Sequence, residues 1–127
     1  MGYRTVDTAS VEPTPDRPCE LRRLTEAAGL EQVALNRYSA DPGEEIPLAY
    51  HYHDEQEEAF FVIDGEIEIE TPEGTFSIGA DELFAADPGS PHRAYCPADA
   101  EETAEVLAVG APPTEGDANP YDPESEA

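Results

Sequence analysis

Three histidines are all the imidazoles this chain possesses, and they are not scattered. His51 and His53 are two residues apart. On an extended strand, where side chains alternate between faces, both rings leave from the same side and can share one metal ion. His92 follows Pro88-Gly89-Ser90-Pro91, a turn-forming run that delivers it at the start of another strand. Between the two groups an acidic run, Asp54, Glu55, Glu57 and Glu58, offers a carboxylate. Three imidazoles and one carboxylate form a borderline donor set that suits iron, manganese, nickel, cobalt or zinc and leaves coordination positions for water or substrate. With redox iron the chemistry would be dioxygen-dependent oxidation of a chelating small molecule. With zinc or manganese it would be isomerisation or hydrolysis by Lewis-acid polarisation. For a lone histidine an ordinary surface or core role is the better reading, but three at this placement fit it poorly.

The elements that position these groups read as short strands. From Glu58 the chain runs AFFVI, then EIEIET after Asp64-Gly65, then TFSIG after Pro72-Glu73-Gly74. Asp64-Gly65 is a hairpin turn signal. In EIEIET, Ile67 and Ile69 alternate with glutamates, so one face is buried and the other is in water. Leu83 to Ala85, His92 to Tyr95 and Ala104 to Val109 supply further strands. Upstream lie a short strand from Cys19, one helical turn near Thr25 to Ala28, and a strand over about residues 31–39. Turn signals at intervals of about ten residues indicate a sandwich or barrel. Glu58 shares a strand face with Phe60 and Val62, where a buried charge needs a partner such as a metal. The opposite face, Ala59, Phe61 and Ile63, is also apolar, so both faces are covered, by a second sheet layer or a dimer partner.

His51-x-His53, four residues, Glu58, six residues and Gly65 together resemble the first motif of the cupin superfamily. Gly43 in Asp41-Pro42-Gly43 stands as the upstream glycine, two residues further from the first histidine than in the common pattern. Gly79 through His92, with Pro88 directly before Gly89, is similar to the second motif. Cys96 stands where an asparagine often follows the histidine. The resemblance spans about residues 35–110. It implies an all-β double-stranded β-helix, the cupin-type jelly-roll barrel, assembled as a homodimer. It also implies one divalent transition metal ion held by His51, His53, Glu58 and His92, and strand parity with Glu58 and His92 makes Phe60, Val62, Ala94 and Cys96 the expected pocket lining.

The chain of 127 residues is sized for one domain. Residues 1–18 read as a flexible arm with three prolines, 19–110 as the barrel, and 111–127 as a flexible tail with four prolines and five acids. The arm could add a strand to a neighbouring subunit. A net charge of −24, thirty acids and six arginines without one lysine argue against nucleic acid or an anionic membrane as partner. The same composition looks like that of a salt-in halophile, where salt screens self-repulsion. No apolar run approaches the roughly 18 residues of a membrane span, and the N-terminus lacks the hydrophobic segment of a signal peptide. A cytoplasmic protein is therefore expected, with Cys19 and Cys96 as free thiols.

The function expected is that of a metal-dependent enzyme, dioxygenase-like or isomerase-like, acting on a small molecule in the barrel mouth. The rival is a non-catalytic ligand-binding or sensing module built on the same metal pocket, and a purely structural metal is a third reading. Asn36 and Tyr38 share one strand face, Cys96 shares the face of His92 and Ala94, and Arg93 points to the surface.

Overall fold

A computed structural model of the chain describes residues 2–113 and 117–123, with only the backbone of 47–49. Ten strands are formed: β1 (Glu20–Arg23), β2 (Ala34–Ala40), β3 (Glu45–His53), β4 (Glu57–Asp64), β5 (Glu66–Thr71), β6 (Gly74–Gly79), β7 (Leu83–Ala86), β8 (His92–Tyr95), β9 (Ala104–Ala111) and β10 (Ala118–Pro120). They make two antiparallel five-stranded sheets, in the orders β1-β2-β9-β4-β7 and β10-β3-β8-β5-β6. This is the expected all-β jelly-roll barrel, and the alternation in β9, buried at every second residue, shows why it closes. The inward residues of both sheets, among them Phe60, Val62, Ile67, Ile69, Ala94 and Val106, form one apolar core. No helix among the described residues is long and apolar enough to cross a membrane.

One turn assignment differs from the sequence expectation. Asp64-Gly65 does not close a hairpin, because β4 and β5 lie in different sheets. Gly65 instead turns the corner between sheets with φ +77°, where a Cβ would stand 2.8 Å from the Thr103 carbonyl oxygen. The hairpin partner of β5 is β6, through the Pro72-Glu73 turn. Near Thr25 the expected single turn forms, closed by the Ala28 N–H on the Leu24 carbonyl at 2.9 Å, and it does not extend into a helix. The Thr25 hydroxyl accepts the Leu35 N–H at 2.8 Å, which pins the 25–29 turn to β2 rather than capping a helix.

The two ends are also more engaged than their composition indicates. The segment read as a tail supplies β10, which pairs with β3 so that Ala118 faces His53 and Pro120 faces His51. Tyr121 packs on Tyr50 with ring centroids 4.9 Å apart. The arm forms a short 3-10 turn, Thr8–Ser10, and folds back on its own chain. Arg22 donates to the Ala9 and Val11 carbonyls, Arg37 to the Thr8 hydroxyl, and the Thr14 N–H to the Leu21 carbonyl. Both faces of β4 were expected to be covered. The second sheet covers its inner face, and on the outer face of the single chain Ile63 is 41% exposed, beside Leu83 of β7 at 63%.

Candidate metal centre

β3, β4 and β8 bring the candidate ligands together. A register shift in the β3–β8 pairing, between Ile46 and His51, sets His51 directly opposite His92. The two rings lie 4.7 Å apart between centroids, and His53 lies 4.9 Å from His51. Glu58 enters from the other sheet, held between β9 and β7 opposite Gly110 and Ala86. One ligand atom each from His51, Glu58 and His92 lies within 4.8 Å of the others. Two ligands on opposite sides of one ion would stand roughly 4 Å apart, so a single ion can bridge the set with small movements. His53 lies outside that tight trio, yet its Nε2 is 3.5 Å from Glu58 Oε1.

The hydrogen bonds around these residues point to a cation. His92 Nδ1 is 2.9 Å from the Ser90 carbonyl oxygen, which can only accept, so Nδ1 carries the proton. The lone pair of a neutral His92 is then on Nε2, and that atom faces Glu58 Oε1 at 2.7 Å. Two acceptors at that distance need a positive species between or beside them, a proton or a metal ion. His53 adds a second sign. Both of its ring nitrogens are buried without a hydrogen bond, although Glu58 and Asp117 carboxylates lie 3.5 and 3.8 Å away. Unsatisfied buried nitrogens are costly unless something ligates them. The donor set thus fits a divalent metal.

The electrostatics agree. Burial alone would raise the Glu58 pKa, but contact with His53 and His92 outweighs it and holds the carboxyl down at about 2. The Glu58 carboxylate in turn raises His53, against the effect of burial. A permanently ionised carboxylate among imidazoles is what a cation site requires.

The loop from His53 to Glu58 is shaped by a residue that sequence reasoning missed. Asp117 accepts the backbone N–H groups of Asp54, Glu55 and Gln56 at 3.0 to 3.3 Å, turning the chain between two candidate ligands. Gln56 then tucks its side chain over Gly110, where any Cβ would come within 2.5 Å of it, and donates to the Pro112 carbonyl at 3.1 Å. An aspartate in a short acidic tail gives no local signal of such a task.

A cavity of about 440 Å³ opens beside the centre, lined by His51, His53 and Glu58 and closed by β10 on one side. Further wall comes from Arg17 and from β2, where Asn36 and Tyr38 face inward, a choice their shared parity left open. The residues expected as pocket lining are placed elsewhere. Phe60 is 1% exposed, and Val62, Ala94 and Cys96 are wholly closed off in the core. Parity put them on the right face, but they lie deeper in the barrel than the cavity reaches. Phe60 alone touches the centre, meeting the His92 ring edge-on at 5.9 Å. Cys19 and Cys96 are free and buried, and burial pushes the Cys19 thiol up to about 12, so both are packing residues. Arg93 lies on the outside as expected, paired with Glu45 and Glu70.

A family model for the cupin domain matches residues 36–110. The chain belongs to the cupin family. Among curated proteins it is 33% identical over 88 residues to a polyketide synthase CurC of Streptomyces cyaneus, a match covering 65% of this chain and 53% of that one. The matched stretch thus spans about half the length of that relative. Among solved structures, a sugar phosphate isomerase of the cupin superfamily from Silicibacter pomeroyi is 23% identical with a TM-score of 0.73, over 85% of this chain and 75% of that one. The polyketide cyclase RemF from Streptomyces resistomycificus is 20% identical with a TM-score of 0.70, over 91% and 89%. At these identities the structures support the cupin barrel itself.

Proposed function

We propose that this cupin is a metal-dependent enzyme that moves a proton next to a carbonyl group of a small chelating molecule, an isomerase-like or cyclase-like reaction. The carrying observation is the pair of facing acceptors, His92 Nε2 and Glu58 Oε1 at 2.7 Å, opening on a cavity that also holds a phenol. His51, His53, Glu58 and His92 would hold the ion. A divalent metal there supplies Lewis-acid polarisation of a bound carbonyl. Tyr38 fits the complementary role. Burial, and then the nearby charge of Glu58, raise its pKa well above the ordinary phenol value. It therefore stays protonated and can donate to an oxygen on which negative charge develops, while the proton lost from the neighbouring carbon passes to solvent in the open cavity. The isomerase and cyclase named among the similar proteins are consistent with such chemistry, since both reaction types can begin with loss of a proton beside a carbonyl. The homodimer expected from the resemblance would use the outer apolar face around Ile63 and Leu83, and light scattering on the native protein tests it.

Elemental analysis of protein purified without a histidine tag comes first, next to a His51→Ala, His53→Ala double variant. About one transition metal per chain is expected, and its loss in the variant. Deuterium exchange into a 1,3-diketone in heavy water then reads the reaction: faster than background with metal-loaded protein, and at least about tenfold slower in Tyr38→Phe. Folded protein that takes up no transition metal when it is supplied would sink the metal reading. Metal uptake with diketone binding but no exchange would leave a ligand-binding module. Bound iron with oxygen consumption would redirect the reading to oxidation.

A further inference from the structure

The six arginines of this chain divide into two groups. Four are occupied: Arg4 by the Ala28 and Gly29 carbonyls, Arg22 by Glu20 and two carbonyls, Arg37 by Glu105 and Thr8, and Arg93 by Glu45 and Glu70. Arg17 and Arg23 have neither an ion pair nor a side-chain hydrogen bond among the described residues. Both are exposed, in a protein with thirty acids and a net charge of −24, so their charge is offered to solvent and not spent on a neighbouring carboxylate. Both stand at the same place.

Beside the main cavity lies a smaller lobe of about 90 Å³, walled by Arg17, Arg23, Asn36, Tyr38 and the buried edges of Cys19 and Leu21. Arg17, Asn36 and Tyr38 line the lobe and the main cavity alike, so the two adjoin. The Asn36 amide and the Tyr38 hydroxyl likewise have no hydrogen-bond partner among the described residues. Tyr38 lines the lobe together with both arginines and the main cavity together with Glu58, so the phenol adjoins the two arginines and the metal centre alike. The arm holds its arginine by construction. The Thr14 N–H bonds to the Leu21 carbonyl at 2.8 Å, and Asp16 turns the chain with φ +59° just before Arg17.

Building on the metal-site reading, we infer that this lobe is an anion subsite, and that the substrate carries a carboxylate there while its chelating end lies at His51, His53, Glu58 and His92. At about 90 Å³ the lobe has room for a carboxylate and its adjoining carbon. Two guanidinium forks match a carboxylate in bidentate geometry, and the Asn36 amide offers a further donor. The overall charge of the protein would repel any anion at long range, so a local pair of uncompensated cations is what lets an acidic substrate enter.

The test follows the side-chain Nε–Hε resonances of Arg17 and Arg23 by NMR in two states of the protein. With zinc-loaded protein the probes are 2-oxoglutarate and 2-oxovalerate, which share a chelating end and differ in the distal carboxylate. The expected result is saturable movement of both resonances by 2-oxoglutarate, with affinity at least about tenfold tighter than for 2-oxovalerate. That preference should vanish in Arg17→Gln, Arg23→Gln and partly return in Arg17→Lys, Arg23→Lys. With metal-free protein the probe is valerate, expected to move the same two resonances weakly but saturably. Equal binding of the two keto acids, or a preference that survives loss of both arginines, overturns the subsite. Failure to take up zinc overturns the metal reading instead, and the valerate titration then decides the lobe alone: unmoved arginine resonances overturn it, saturable movement upholds it.

Discussion

The two ends of the barrel interior are built by the same strands and differ in almost every physical respect. The inward stripe of β4 begins with Glu58 and continues with Phe60 and Val62; β8 begins with His92 and continues to Ala94; β3 passes from the buried Ile46 to His51 and His53. One end of each inward stripe is apolar and sealed, the other ionic and open to a cavity. An inward stripe therefore carries two kinds of residue in sequence, and position along the strand, not the face alone, decides which of them a ligand meets. The sealed end supplies stability and the open end supplies chemistry, so damage to one should leave the other readable.

The sharpest way to break that division is at the sealed end. Ile69→Ala removes a wholly buried side chain and should cost about 2–5 kcal/mol of unfolding free energy in chemical denaturation, with metal stoichiometry unchanged in the fraction that folds. Parallel loss of metal affinity in folded protein would show that the two ends are not separable. At the open end, Glu58→Gln takes away the ionised carboxylate that faces His92 and His53. Loss of an outer partner of a metal ligand typically costs 10–100-fold in affinity, so loss of this carboxylate should cost at least about 100-fold in a competition titration with a chelator. The smallest effect is expected where the tail meets the site. Asp117→Asn leaves three backbone N–H groups with a weaker acceptor and should lower the melting midpoint by a few degrees.

Asp117 also gives the comparison a pH axis. Burial works to raise its pKa, but the N–H groups of Gln56, Glu55 and Asp54 win and hold it below the ordinary aspartate value. Its contribution to folding is then complete above about pH 4, the unfolded value, and is lost as pH falls through the lower folded one. Melting curves of metal-free protein at pH 6 and pH 3 should show a smaller acid-induced drop in Asp117→Asn than in the parent. An identical drop would mean that the carboxylate does not hold the 54–56 loop.

Much of the barrel was legible because strand parity is a local property. His51 and His53 two apart, the alternation of Ile67 and Ile69 with glutamates, and the turn before His92 each carry their meaning within a few residues. Depth was not legible. Parity placed Phe60, Val62, Ala94 and Cys96 on the inner face, but how far along the barrel the cavity extends depends on what the other sheet and β10 bring against it. Nor could composition announce β10, three residues in an acidic, proline-rich stretch, since its pairing with β3 comes from backbone hydrogen bonds and not from an apolar stripe. The same holds for Arg17 and Arg23, which meet at one lobe only after the arm has folded back on β1.

The Gln56 side chain over Gly110 has a consequence beyond this molecule. A Cβ at position 110 would stand 2.5 Å from the amide carbon of Gln56, so the two positions divide a fixed volume between them. Within the family, a larger residue at the site equivalent to 110 should travel with a shorter one at the site equivalent to 56. The two columns are expected to co-vary in size, and a library that randomises one without the other will be rich in chains whose metal-bearing loop has lost its footing.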